Sequence, residues 1–124
     1  IIEQTEACVI IDVNTGKFTG EKNYRDSILK TNMEAAKEIA AQIRLRNLSG
    51  MIIIDFINMD SEVDKVKLYQ FFSGEIAKDR IKTNIIGMTE LGLMQLTRRK
   101  TRESLGHIML EECRHCHGNG RIRI

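Results

Sequence analysis

Two aspartates stand in matching contexts: Asp12 ends the run VIID and Asp55 ends the run IIID. Runs rich in β-branched apolar residues read as buried strands. If two such strands are neighbours in a βαβ unit, their carboxyl ends bring both acids to the edge where ligands of open α/β sheets bind. Close carboxylates repel, and burial would raise the cost. A hard divalent cation such as Mg²⁺ relieves the conflict through oxygen coordination and keeps waters for a phosphate substrate. This set suits phosphodiester hydrolysis, in which the metal acidifies a bound water and neutralises phosphate charge. Asn14, two residues after Asp12, is placed to orient its carboxylate. A strand-end aspartate equally caps the turn or helix that follows, and spacing alone leaves both roles open.

A second cluster lies near the end of the chain. In EECRHCHGNG, Cys113 and Cys116 form a C-x-x-C followed by Gly118 and Gly120. Zinc takes four ligands in a tetrahedron, and one such pair supplies half of them. The remainder would come from His107, His115 or His117, from chain beyond Ile124, or from a second copy across a dimer. A redox dithiol belongs instead at a helix start early in a βαβ unit. Cys8 reads as a small buried hydrophobe and His107 as a surface or core polar residue. Met33, Met88, Met94 and Met109 read as core filler. Arg98, Arg99, Lys100 and Arg102 are the densest basic cluster. On a strand, Arg98, Lys100 and Arg102 would share one face suited to RNA phosphates, with a solvated face as the alternative.

Certain elements must carry these groups. Residues 7–13 predict the first strand and 14–22 a turn. From Arg25 to about Asn47, Leu29, Met33, Ala36, Ala40 and Ile43 recur at helical spacing. A second strand is expected over 51–59. Asp60-Ser61 then starts a helix running to Lys78, with Val63, Val66, Leu68, Phe71, Phe72 and Ile76 on its buried side. Further strands are expected over 82–88 and within 90–100, then a short helix around 103–109. This alternation implies an α/β layered mixed sheet with flanking helices and right-handed crossovers, divided into a subdomain over 1–100 and a zinc-knuckle segment over 101–124.

The 124 residues are 42% hydrophobic and 29% charged, as expected of one globular domain. No apolar run is long enough to span a bilayer. Three cysteines, an odd number, point away from a disulfide framework and toward a reducing, cytoplasmic setting. Net charge is +2 overall, yet residues 98–124 hold 7 Lys/Arg against 3 Asp/Glu, a basic end that suits a polyanion. The start, IIEQTEACVI, lacks an initiator Met, and the chain reads as a piece of a longer protein.

With IDVNTG, TNMEAAKEIAAQIRLRNLSG, IIIDFINM and CRHCHGNG in order along it, the chain resembles the ribonuclease E/G family. The resemblance implies a deoxyribonuclease I-like catalytic subdomain and a zinc-link segment of a bacterial-type endoribonuclease. Such an enzyme uses Mg²⁺ to cut single-stranded, often AU-rich RNA, leaving a 5′-phosphate. It makes Asp12 and Asp55 the metal ligands, Asn14 their supporting asparagine, and Cys113 with Cys116 one half of a zinc site shared between two chains. A homodimer follows, with higher oligomers in the full-length protein. Arg114 and His115 stand where the family's usual proline separates the cysteines. The family's S1 domain, 5′-phosphate sensor and small C-terminal domain have no counterpart in these residues, so weak activity of this piece alone is expected. The alternatives are a non-catalytic zinc-linked dimerisation or RNA-binding module, and a phospho-acceptor domain using Asp55.

Overall fold

A computed structural model describes residues 1–13, 24–89 and 91–124. Its elements are β1 (Ile2–Gln4), β2 (Val9–Asp12), α1 (Tyr24–Leu45), β3 (Gly50–Asp55), α2 (Glu62–Ile76), β4 (Thr83–Met88), β5 (Leu93–Arg98) and α3 (Leu105–Met109). The strands form one mixed sheet in the order β1-β2-β3-β5-β4. Only β2 and β3 are parallel, joined across α1, and the other three pairings are antiparallel. The α/β class and mixed sheet agree with expectation. The short edge strand β1 was not anticipated, and the turn expected over 14–22 lies outside the described residues. None of the described helices is long and apolar enough to cross a membrane.

Strand alternation decides which face is covered. Val9 and Ile11 of β2, Ile52 and Ile54 of β3, and Met94 and Leu96 of β5 are buried in one core with Ile28, Ala36, Ile39, Ala40 and Ile43 of α1 and Leu68, Phe72 and Ile76 of α2. Phe56 meets Phe72 edge-to-face, with centroids 6.0 Å apart. The intervening residues Ile10, Asp12, Met51 and Asp55 are exposed on the opposite face. One side of the sheet is therefore packed and the other open, as largely antiparallel sheets permit.

Several boundaries differ from expectation for physical reasons. β3 stops at Asp55, because Phe56–Met59 leave the ladder even though Phe56, Ile57 and Met59 stay buried. The buried side of α2 is Asp64, Leu68, Phe72 and Ile76, at steps of four. Val63 and Val66 fall off that stripe and are 59% and 52% exposed. Cys8 precedes β2 in a half-exposed turn, where its N–H donates to Thr5 Oγ1 at 3.1 Å. Met94 is core, whereas Met109 is 71% exposed.

Two ion pairs tie elements together. Arg25, at the start of α1, donates to Asp64 Oδ2 at 2.8 Å and to the capping Ser61 Oγ at 2.8 Å. That hydrogen bond outweighs burial and holds the Asp64 carboxyl below its ordinary range. At the other end of the sheet, Arg98 donates to Asp79 Oδ2 at 2.7 Å, to Asn47 Oδ1 at 2.9 Å and to the Leu48 carbonyl at 2.9 Å. Asn47 sits at φ 49°, ending the turn after α1, and its amide donates to the Arg102 carbonyl at 3.1 Å. Burial pushes the Asp79 carboxyl up, but hydrogen bonds from Arg98 and the Ile81 N–H, with the charges of Arg98 and Arg44, leave it lowered. A lowered folded pKa contributes stability above the ordinary carboxylate range and loses it as pH falls through the folded value. Arg98→Ala, which strands Asp79, should therefore cost about 3–5 kcal/mol in denaturant unfolding at neutral pH, with the deficit shrinking in acid. An unchanged midpoint would show that the pair is not holding the sheet to the turn.

Candidate active site

The parallel register pairs Asp12 with Asp55 directly. Adjacent strands lie about 4.8 Å apart, and paired residues point to the same face, so both carboxylates leave the open side of the sheet together. Backbone bonds fix the two ends: the Val13 N–H donates to the Asp55 carbonyl at 3.0 Å, and the Asp12 N–H to the Ile1 carbonyl at 2.9 Å. Beyond Asp55, the chain is clasped by Asn32, which is fully buried on α1. The Ile57 N–H donates to Asn32 Oδ1 at 2.9 Å, and Asn32 Nδ2 donates to the Ile57 carbonyl at 2.9 Å. The side-chain amide thus continues the backbone pairing where β3 leaves the sheet.

Both acids line one cavity of about 230 Å³, with Asn58, Lys65, Met88, Leu91 and Gly92 among its walls. Gly92 turns the chain between β4 and β5 at φ 83°, a conformation that favours glycine. Among the described residues neither carboxylate makes a side-chain hydrogen bond or ion pair. Among the described residues, Lys65 is the cation on the cavity wall, 3.1 Å from Glu62. Among the described wall residues the formally charged ones are Asp12, Asp55 and Lys65, and a bound divalent cation would add positive charge attractive to a phosphate. No three His, Cys, Asp or Glu side chains are grouped to hold a metal among the described residues. Two carboxylates and open space nevertheless suit Mg²⁺, which commonly uses one or two carboxylates and keeps several waters. Both acids are exposed rather than buried, which removes the desolvation cost expected from sequence.

The cysteines occupy a separate turn. The His117 N–H donates to the Cys113 carbonyl at 2.8 Å and the Asn119 N–H to the Cys116 carbonyl at 2.9 Å. His117 and Gly118 follow at φ 47° and 82°. Backbone N–H groups of Cys116 and His115, with the Cys116 side chain, hold the Cys113 thiol below its ordinary range, favouring the thiolate that binds metals. Cys113 is exposed and Cys116 half-buried. His107 and His117 instead stand 3.8 and 3.7 Å from Glu103 and Glu112.

A model of the Ribonuclease E/G family matches residues 1–101. Ribonuclease G of Haemophilus influenzae is 50% identical over 123 residues, which are 99% of this chain and 25% of that protein. Ribonuclease G of Escherichia coli strain K12 is 47% identical over 99% of this chain and 25% of its own length. Ribonuclease E of Synechocystis sp. is 46% identical over 98% of this chain and 18% of that protein. The chain belongs to the ribonuclease E/G family. It spans about a quarter of the length of its ribonuclease G relatives.

Within this ribonuclease E/G chain, the anticipated site residues fall into three places. Asp12 and Asp55 come together, Cys113 and Cys116 share their own turn, and Asn14 lies outside the described residues. The basic cluster departs from expectation. β5 ends at Arg98, so Arg98, Lys100 and Arg102 do not share a strand face, and Arg98 is buried with its guanidinium committed to Asp79 and Asn47. Lys100 and Arg102 remain exposed. Arg98 pairs with Gly50, five residues from Asp55 along β3 and so about 16 Å away. Sequence reading missed Asn32 and Lys65. Asn32 carried a usable signal: it is the polar member of an apolar helical stripe, four residues from both Ile28 and Ala36.

Proposed function

We propose that this chain is the catalytic region of an endoribonuclease that hydrolyses phosphodiester bonds in single-stranded RNA, with Mg²⁺ held by Asp12 and Asp55. The observation that carries this is the direct pairing of the two strand-end aspartates on one open cavity, in a chain half identical to a protein named Ribonuclease G. When bound, Mg²⁺ supplies charge neutralisation at the phosphate and acidifies a water it holds. Asp12 and Asp55 present its oxygen ligands from strand ends fixed by the Val13–Asp55 bond. Asn32 keeps the chain beyond Asp55 from shifting. Lys65 offers an ammonium on the cavity wall to a phosphate oxygen, and Asn14 would orient the Asp12 carboxylate.

Asp55→Asn keeps the size of the side chain but removes its charge. In the natural full-length protein it should lower single-turnover cleavage of a single-stranded oligoribonucleotide by roughly a hundred-fold or more, with folding and RNA binding retained. Undiminished turnover would overturn the assignment. Silent changes at both Asp12 and Asp55 would favour a non-catalytic RNA-binding or dimerisation module.

Cys113 and Cys116 are assigned a structural role: one half of a tetrahedral zinc site completed by the same pair from a second chain. The turn geometry and lowered Cys113 thiol support this, as does the lack, among the described residues, of a third ligand grouped with them. Arg114 and His115 between the cysteines keep the C-x-x-C spacing. Elemental analysis should find about one zinc for every two chains, and Cys113→Ser with Cys116→Ser should convert dimers to monomers by light scattering. One zinc per monomer would refute the sharing.

A further inference from the structure

Val66 and Tyr69 are apolar positions of α2 that the core does not use, 52% and 39% exposed. They lie three residues apart and so face the same way on the helix. Together with Gln70, Met88 and Thr89 they line a groove of about 610 Å³. The groove adjoins the carboxylate cavity, with Lys65 and Met88 lining both. Its size falls in the range of about 300–1,000 Å³ typical of ligand sites.

We propose that this groove seats the base of the nucleotide adjoining the phosphate that is cut, with its face stacked on Tyr69. The inference rests on the endoribonuclease function proposed above. A phosphate held at the two aspartates would have Lys65 beside it, at the mouth of the groove. The chain of a single-stranded RNA running past Lys65 then meets the Tyr69 ring and the apolar side chain of Val66. An unstacked base needs such a platform, and single-stranded RNA is commonly held by aromatic stacking beside a cationic track. The groove supplies polar partners as well. The Gln70 amide can donate and accept, the Thr89 hydroxyl can do either, and Glu62 can accept. These groups suit a base edge or the 2′-hydroxyl. The adjoining charged and apolar walls match a ligand that is anionic at one end and flat and apolar at the other.

The test uses the natural full-length protein and short single-stranded oligoribonucleotides carrying one 5-iodouridine, moved one position at a time across the cleavage site. The Asp55→Asn variant holds the RNA uncut during irradiation. Crosslinks should map to Tyr69 from a nucleotide beside the cleaved phosphate, and from no distant one. In cleavage assays Tyr69→Ala should raise KM by about ten-fold with kcat unchanged, and Tyr69→Phe should restore KM because it keeps the ring. Crosslinks confined to other residues, or a KM that Tyr69→Ala leaves unaltered, would overturn the groove assignment. The two proposals fail separately. Loss of cleavage in Asp55→Asn with a silent Tyr69→Ala defeats only the groove, whereas a raised KM in Tyr69→Ala with full Asp55→Asn activity leaves an RNA groove beside acids that do not cut.

Discussion

Two like charges set side by side at the ends of parallel strands are the constraint on which the rest of this molecule depends. The β2–β3 register leaves the strand backbones at Asp12 and Asp55 about 5 Å apart. Like charges brought together repel, and solvent screens that repulsion where both groups are exposed, as they are here. Neither acid has a side-chain partner among the described residues. A divalent cation held there, as proposed above, would turn that repulsion into two attractions. The open face of the sheet would then leave the strand ends accessible to a polymer.

Holding such a pair together requires anchoring elsewhere, and polar contacts between elements supply it alongside the apolar core. Asn32 clasps the chain two residues after Asp55. Arg25 fastens the start of α1 to the start of α2 through Asp64 and Ser61. Arg98 fastens the far end of β5 to the turns carrying Asp79 and Asn47. Among the described residues, no buried side-chain polar atom is left without a partner. Each contact joins elements distant in sequence, and such networks specify one arrangement when every member is satisfied.

Much of this was legible from the sequence because strand ends, helix caps and C-x-x-C turns are local signals. Asp12 and Asp55 were readable as a pair because their two runs are alike and a helix lies between them. Ser61 was readable as a cap from its place before Glu62 and Asp64. What escaped reading depended on long-range partners. Arg98 looked like part of an exposed basic cluster, since nothing local shows that Asp79 and Asn47 converge on it. Val63 and Val66 looked like core because apolar type was weighed above helical phase, which runs instead through Asp64, Leu68, Phe72 and Ile76. Lys65 gave no local sign that its helix start faces the strand ends.

The central claim is that Asp12 and Asp55 jointly hold one divalent cation. Titration with Mn²⁺, a paramagnetic stand-in for Mg²⁺, measures this by the disappearance of the free-ion EPR signal. One ion should bind per chain, compete with Mg²⁺, and be lost in Asp12→Asn and Asp55→Asn alike. Binding that survives both substitutions would contradict the account.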